Sequence, residues 1–245
     1  MESIFRSEFV VDAAHADCFG RLKPSSILYF VQEVAGQHCQ QLALDWDTMA
    51  EKNMFWAVIR HRVQIHRLPR KGETITVETW PMPTTKVAFP RSVAAYDQEG
   101  NPLFTTISLW VLMDLNTRAM ILPGKSGVDV PGLLRGSELA PPRSLVPVSL
   151  SAESSRQVRF MDLDVNGHMN NCRYLDWICD LLPSGFHHSH SIREFTLCYL
   201  SEARENETLK MQWQLSQDGG LRVETVRLSE TDEQEHRIFS ADISF

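Results

Sequence analysis

Two apolar patterns alternate along the chain, and they recur in the same order twice. From Glu2 to Val11 apolar and polar residues alternate, which is the period of a strand. Pro24 then suits the first turn of a helix, and Ile27, Phe30, Val31, Val34 and Ala35 form the stripe of a helix with one buried face. Asp45 to Lys52 reads as a short second helix. Four strands follow at Phe55 to Leu68, Thr74 to Trp80, Phe89 to Asp97 and Leu103 to Asp114, with Glu99-Gly100-Asn101 as the turn between the last two. Pro123 to Pro147 has little periodicity and holds five of the twelve prolines and four of the twelve glycines, so it reads as a linker crossing the surface. Then the order restarts. Gln157 to Phe160 is a strand, and Met169 to Leu182 is a helix stopped by Pro183. Strands follow near Phe195 to Leu200, Thr208 to Leu215, Leu221 to Leu228 and Arg237 to Phe245.

The two rounds also align at single residues. An offset of 147 lays Asp17 on Asp164, Gly20 on Gly167, Leu28 on Leu175, Phe30 on Trp177 and Val31 on Ile178. An offset of 134 lays Glu73-Thr74-Ile75 on Glu207-Thr208-Leu209. The 13 residues between the offsets are about what a helix at Asp45 to Lys52 consumes if the second round lacks it. Element order and identities together favour an internal duplication. The copies differ where the polar residues lie: Asn166 falls opposite Phe19, His168 opposite Arg21, and Glu202 opposite Leu68. One copy has the chemistry; the other has the scaffold alone. That asymmetry predicts one site per chain, with the empty half adapted to binding.

Composition narrows the class without naming it. The 245 residues are 43% hydrophobic and 22% charged, an ordinary globular balance. A net charge of −7 argues against a nucleic-acid binder. No apolar run approaches a membrane span, and Met1-Glu2-Ser3-Ile4-Phe5-Arg6 has neither a signal-peptide core nor transit-peptide character, so cytoplasmic residence is expected. Cys18, Cys39, Cys172, Cys179 and Cys198 are scattered and contain no C-x-x-C, indicating neither a disulfide framework nor a zinc site. His187-His188-Ser189-His190 follows Pro183-Ser184-Gly185 without a ligand set at usual spacing, and reads as a surface loop. Met54 to Gly72 carries Arg60, Arg62, Arg67, Arg70 and Lys71 with no acid, a local basicity worth noting on an acidic chain.

The densest chemistry lies in Asp162-Leu163-Asp164-Val165-Asn166-Gly167-His168-Met169-Asn170-Asn171-Cys172-Arg173-Tyr174. A carboxylate, a carboxamide and an imidazole at i, i+2 and i+4 suit a loop entering a helix, where such side chains and free N–H groups converge on one ligand group. From the residues alone, a capped helix start with a structural histidine and a reactive site both remain open. Asp162 reads as a solvated carboxylate at a strand end, Asp17 as a structural cap, and Asn170 and Asn171 as first-turn residues.

Asp164-Val165-Asn166-x-His168-x-Asn170-Asn171-x-x-Tyr174 resembles the catalytic-loop signature of acyl-acyl-carrier-protein (acyl-ACP) thioesterases. Leu197-Cys198-Tyr199-Leu200-Ser201-Glu202-Ala203 resembles the strand that carries an essential glutamate in that family, and its distance of 34 residues from the histidine fits as well. Trp56-Ala57-Val58-Ile59-Arg60 and Gly72-Glu73-Thr74-Ile75-x-Val77-x-Thr79-Trp80 are similar to further family segments, so the resemblance covers nearly the whole chain. Two departures stand out. No plastid transit peptide precedes the domain, as in a bacterial member, and Ala203 stands where some plant enzymes have Cys.

The resemblance implies an α+β double hotdog: two antiparallel sheets, each wrapping a central helix. It implies residues 1–122 as an acyl-binding hotdog domain without catalytic residues, 123–150 as linker, and 151–245 as the catalytic hotdog domain. It implies Asp164, Asn166, His168 and Glu202 as catalytic residues, hydrolysis of fatty acyl-ACP to free fatty acid and holo-ACP, and an acidic carrier as partner. No metal or organic cofactor is implied, because a thioester is already activated and water attacks it once a base and oxyanion donors are in place. Glu202 and His168 are the candidates for activating water, Asn166 for polarising the carbonyl, and Asp164 for orienting His168 or attacking the carbonyl itself. An acyl-CoA thioesterase, a hotdog hydratase and a non-catalytic acyl-binding regulator are the alternatives. A monomer and a homodimer are both compatible, and neither nucleic acid nor membrane is an expected partner.

Overall fold

The computed structural model describes residues 3–228 and 235–245. It divides into two compact units, Met1–Pro142 and Arg143–Phe245. Each is an antiparallel sheet packed on helices, the hotdog arrangement given twice.

In the first unit, strands β1 (Phe5–Val10), β2 (Met54–Ile65), β3 (Thr74–Pro81), β4 (Phe89–Tyr96) and β5 (Pro102–Asp114) lie in the order β1-β3-β4-β5-β2. A two-residue strand β6 (Met120–Ile121) adds to β5. The first strand begins later than the alternation suggested, and Glu2 lies outside the described residues. Helix α1 (Pro24–Gln41) packs on β1 and β3. Pro24 opens it, because proline has no N–H to lose in a first turn. The apolar stripe is its buried face: Ile27, Leu28, Val31 and Val34 have no exposed surface. Helix α2 (Trp46–Glu51) starts where the Asp45 carboxylate accepts the Thr48 N–H.

The stretch after β6 differs from a linker that merely crosses the surface. A short helix α3 (Pro123–Ser126) opens it, and the chain as far as Pro142 belongs to the first unit. Val130 packs beside Leu44, Met49 and Phe89. The Leu133 N–H donates to the Pro81 carbonyl at 2.9 Å, and Arg135 pairs with the buried Glu78 at 2.6 Å. A Cβ at Gly132 would stand 2.4 Å from Pro83 Cα, so glycine is required for this approach. Low periodicity reported irregular backbone correctly but concealed packing, because single apolar anchors spaced among prolines have no period to read.

In the second unit, β7 (Ala152–Gln157), β8 (Glu194–Tyr199), β9 (Thr208–Leu215), β10 (Gly220–Leu228) and β11 (Glu235–Ser244) lie in the order β8-β11-β10-β9-β7. Strand β7 occupies Ala152–Gln157 rather than Gln157 to Phe160, where a 3₁₀ turn (Phe160–Asp162) stands instead. It is an edge strand, polar except for Ala152 and paired with β9 alone among the described residues, so alternation gave no signal for it. Helix α4 (Asn171–Cys179) is shorter than the predicted Met169 to Leu182. Its Tyr174 ring stacks on Phe239 of β11 at 4.6 Å, and the Tyr199 hydroxyl of β8 donates to the Asn171 carbonyl at 3.0 Å. The histidine tract is no loop: Ser184–Ser189 form α5, with His190 stacked 4.2 Å from Phe186.

The second helix is therefore present in both units, six residues long each time. The change of offset comes from elsewhere. Helix α4 has nine residues against 18 in α1, β8 has six against 12 in β2, and residues 190–193 replace 52–53 before the strand. Among the described residues no helix is long and apolar enough to cross a membrane.

Candidate active site

The polar cluster of the second unit sits on a tight hairpin turn. The Asp164 N–H donates to the His168 carbonyl at 2.8 Å, and the Gly167 N–H to the Asp164 carbonyl at 3.0 Å. Leu163 and Met169 pair at its base. Aspartate at the first position and Gly167 at φ +74° suit this turn, since the left-handed residue strains any side chain with a Cβ. Asp164 Oδ1 accepts the Asn166 N–H at 2.8 Å and the His168 N–H at 3.4 Å. The turn thus ends before the helix. Asn170 caps α4 instead, accepting the Cys172 N–H at 2.9 Å. The expectation that the cluster itself caps the helix is corrected by the hairpin, which uses the available N–H groups first.

The hairpin then lies along the segment that follows β8. His168 bridges to Arg204, and the Met169 N–H donates to the Ala203 carbonyl at 2.8 Å. Glu202 is two residues before Arg204, so by the period of two its side chain leaves on the side of His168. Glu202 Oε2 stands 3.1 Å from His168 Nε2, with the imidazole 17% and the carboxylate side chain 43% exposed. The pair is therefore anchored at the histidine and open to solvent at the glutamate. Asn166 is exposed at the turn, and its carboxamide is committed to no partner among the described residues. His168 and Glu202 are thus brought together, and Asn166 lies two residues before the histidine on the same exposed turn. Asp164 is on the same turn, but its recorded bonds go to backbone N–H groups rather than to the imidazole.

The first unit repeats this architecture bond for bond. The Asp17 N–H donates to the Arg21 carbonyl at 2.7 Å, Gly20 to Asp17 at 3.0 Å, and Leu22 to Pro69 at 2.8 Å. Asp17 Oδ1 accepts from Phe19 and Arg21 at 2.9 Å each, Gly20 has φ +73°, and Arg21 bridges to Arg70. The side chains part company at the next step. Arg21 Nε turns back onto Asp17 Oδ2 at 3.1 Å, its guanidinium lies over the Phe19 ring, and the position of Glu202 is held by Leu68. Asp17 is a turn former here rather than a helix cap.

Asp162 is not the solvated carboxylate expected. It is buried, accepting the Arg159 N–H at 3.0 Å and the Trp177 Nε1–H at 3.2 Å. The basic segment is also less free than its sequence suggests, since Arg67 pairs with Glu73 at 2.8 Å and with Asp97 at 3.3 Å. Cys172 is fully buried, and burial pushes its thiol up; the Cys179 thiol is pushed up to about 12 for the same reason.

The first unit contains a cavity of about 320 Å³ between α1 and the sheet. Ala35, Leu44, Trp56, Phe89 and Trp110 give it an apolar wall, and exposed Gly36 and Gln40 also line it. One wall residue escaped the sequence reading. Arg91 is buried, with Nη1 donating to Thr79 Oγ1 at 3.1 Å and standing 3.1 Å from His38 Nδ1. Burial holds its pKa below the ordinary guanidinium value. A lone charged residue in the run Phe89–Tyr96 was the available signal.

Comparison with known proteins gives the family. Residues 2–122 match the model of the acyl-ACP thioesterase N-terminal domain, and residues 147–242 that of the C-terminal domain. A chloroplastic palmitoyl-acyl carrier protein thioesterase of Gossypium hirsutum is 28% identical over 76% of this chain and 48% of its own length. A chloroplastic enzyme of the same name from Cuphea hookeriana is 25% identical over 89% of this chain and 56% of its own. The chain thus spans about half the length of these curated relatives. Among solved structures, an acyl-ACP thioesterase from Bacteroides thetaiotaomicron superposes with a TM-score of 0.85 at 24% identity, over 99% of this chain and 98% of that one. The 12:0-ACP thioesterase from Umbellularia californica gives 0.82 at 22%, over 100% and 97%. The fold is the double hotdog, and the chain belongs to the acyl-ACP thioesterase family.

Proposed function

We propose that this protein hydrolyses the thioester of fatty acyl-ACP, releasing free fatty acid and holo-ACP. The observation that carries the reading is the Glu202–His168 pair at 3.1 Å, with Asn166 exposed on the same turn. Family membership supports it, as do relatives named palmitoyl- and oleoyl-acyl carrier protein thioesterases and dodecanoyl-[acyl-carrier-protein] hydrolase.

In this proposal the His168–Glu202 pair takes a proton from water as the water oxygen attacks the thioester carbon. The Asn166 carboxamide donates to the developing oxyanion. The C–S bond then breaks, and the thiolate takes the proton back from the pair. The products are a carboxylic acid and a thiol. Asp164 holds the turn through the N–H groups of Asn166 and His168, so we assign it to positioning and assign the attack to water. The first unit holds the acyl chain, in the cavity lined by Trp56, Trp110 and Phe89. Free cysteines throughout are compatible with the cytoplasm as the place of action.

The test is to incubate the purified protein with acyl-ACPs and acyl-CoAs of graded chain length and to weigh the products. Release of fatty acid from acyl-ACP in preference to acyl-CoA supports the reading. Preference for acyl-CoA moves the substrate to the other carrier, and binding without release makes the protein a regulator.

A further inference from the structure

The repeat supplies an internal control for the surface around the site. The 3₁₀ turn Phe160–Asp162 and the hairpin Asp164–His168 of the second unit correspond to Ala13–His15 and Asp17–Arg21 in the first. At three corresponding positions the first unit has Ala13, Ala14 and Cys18, all small. The second has Phe160, Met161 and Val165, exposed to 75%, 71% and 102%. Large apolar side chains held in water are costly, and a cluster of them marks a contact surface. The backbone does not demand them, because the same hairpin forms in the first unit with Cys18, and Ala13–His15 also turn, held there by the Asp12 carboxylate. Charge changes with them. Asp12 of the first unit becomes Arg159, which is exposed and whose guanidinium pairs with no carboxylate among the described residues. Arg204, which bridges His168, is exposed as well, but it is shared, since Arg70 holds the corresponding place beside Arg21. Three large apolar groups and one added arginine, Arg159, distinguish the copy that holds His168 and Glu202.

We infer that Phe160, Met161 and Val165, flanked by Arg159 and Arg204, form the docking surface for the acidic carrier protein that delivers the acyl thioester. The inference rests on the proposed hydrolase reading and assigns its partner a place. Two features select this occupant. The surface is apolar with the guanidinium groups of Arg159 and Arg204 beside it, and its Val165 belongs to the turn that carries Asn166 and His168, where a carrier must bring its thioester. The basic segment Met54 to Gly72 is the weaker candidate, because its Arg67 is already paired with Glu73 and Asp97.

The experiment compares wild type, the double variant Phe160→Ser/Met161→Ser, Arg159→Glu, and Ala13→Ser/Ala14→Ser as control. Binding of fluorescently labelled holo-carrier is titrated, and turnover is measured on acyl-carrier and on a small acyl-N-acetylcysteamine thioester. The double variant and Arg159→Glu are expected to raise the carrier Kd and the acyl-carrier KM about tenfold or more, the scale of losing an interface anchor. Turnover of the small thioester stays within about twofold, as for other exposed substitutions, and the control changes neither. Unchanged carrier binding in both site variants overturns the surface. So does a wild type that does not bind the carrier, a variant that instead dissociates a dimer in sedimentation, or one that instead loses binding to anionic phospholipid vesicles. A wild type that binds the carrier through these residues but cleaves neither thioester keeps the surface and defeats the hydrolase reading alone.

Discussion

The turn Asp17–Arg21 and the turn Asp164–His168 have the same hydrogen bonds, the same left-handed glycine and the same backbone bridge to a following arginine. They differ in side chains that the backbone does not need. Where the first has Phe19, Arg21 and Leu68, the second has Asn166, His168 and Glu202. The comparison separates two jobs that are fused in any single active site. Aspartate and glycine appear in both turns and build the loop. Carboxamide, imidazole and carboxylate appear in one, and they are the groups on which the proposed hydrolysis rests. A residue shared by both copies is explained by folding alone; a residue found only in the second needs another reason.

The largest effects should fall on the unshared residues. Glu202→Gln and Asn166→Ala are each expected to lower kcat about 10²-fold or more, the scale of a lost acid–base or oxyanion group. Their melting temperatures should stay near wild type, because both side chains are exposed. Leu68→Ala, at the corresponding position of the first unit, should leave kcat intact. Loss of activity there through anything but unfolding would erase the distinction between the copies.

The shared aspartates sharpen the comparison further. Asp17→Ala and Asp164→Ala each remove two side-chain-to-backbone bonds from the same turn, so each should cost about 1 kcal/mol of stability. Asp164→Asn keeps an oxygen that accepts from the backbone and should retain kcat within about tenfold, whereas Asp164→Ala loses about 10²-fold as His168 drifts. Equal collapse of the Asn and Ala variants would instead make Asp164 the nucleophile. Thermal melts and steady-state rates on the four proteins decide it.

Smaller effects are expected in the cavity. Gly36 lies on α1 at its wall, and a Cβ added there would meet nothing within 4 Å. Gly36→Leu should stabilise the helix by roughly 0.8 kcal/mol. It should also shorten the preferred acyl chain, at about 0.8 kcal/mol per methylene displaced. An unchanged product profile would place the acyl chain outside the first unit. The smallest effect belongs to the thiols. Cys18 is the exposed one of the five, and burial holds Cys39, Cys172 and Cys179 in the thiol form. Iodoacetamide should label Cys18 first and leave kcat within about twofold. An acyl adduct trapped on any cysteine during turnover would overturn the water-based mechanism.

Much of this was legible in the chain. The stripe on α1 and the alternation of β1 follow from covering one face, which leaves a period. The offsets of 147 and 134 found the repeat, and with it the pairs Asp17/Asp164 and Leu68/Glu202. What was hidden depends on contacts between distant residues. Strand β7 has no apolar face, so its sheet pairing left no pattern. Asp162 looks solvated until Trp177 is folded against it. The orientation of His168 toward Glu202 rather than Asp164 requires the bridge to Arg204, which no local spacing encodes. Helix α5 was concealed by a histidine-rich composition that resembles a loop, although Phe186 stacking on His190 and packing on Phe245 anchors it.

The central claim is that the second turn carries the chemistry and the first only its scaffold. It is tested most directly by one pair of variants on one substrate. His168→Ala and Arg21→Ala change corresponding positions of the two turns, and kcat on acyl-ACP is measured for both beside wild type. The account predicts a loss of about 10²-fold or more for His168→Ala and a rate within a few-fold of wild type for Arg21→Ala. Near-normal turnover by His168→Ala, or an equal loss in both, would contradict it.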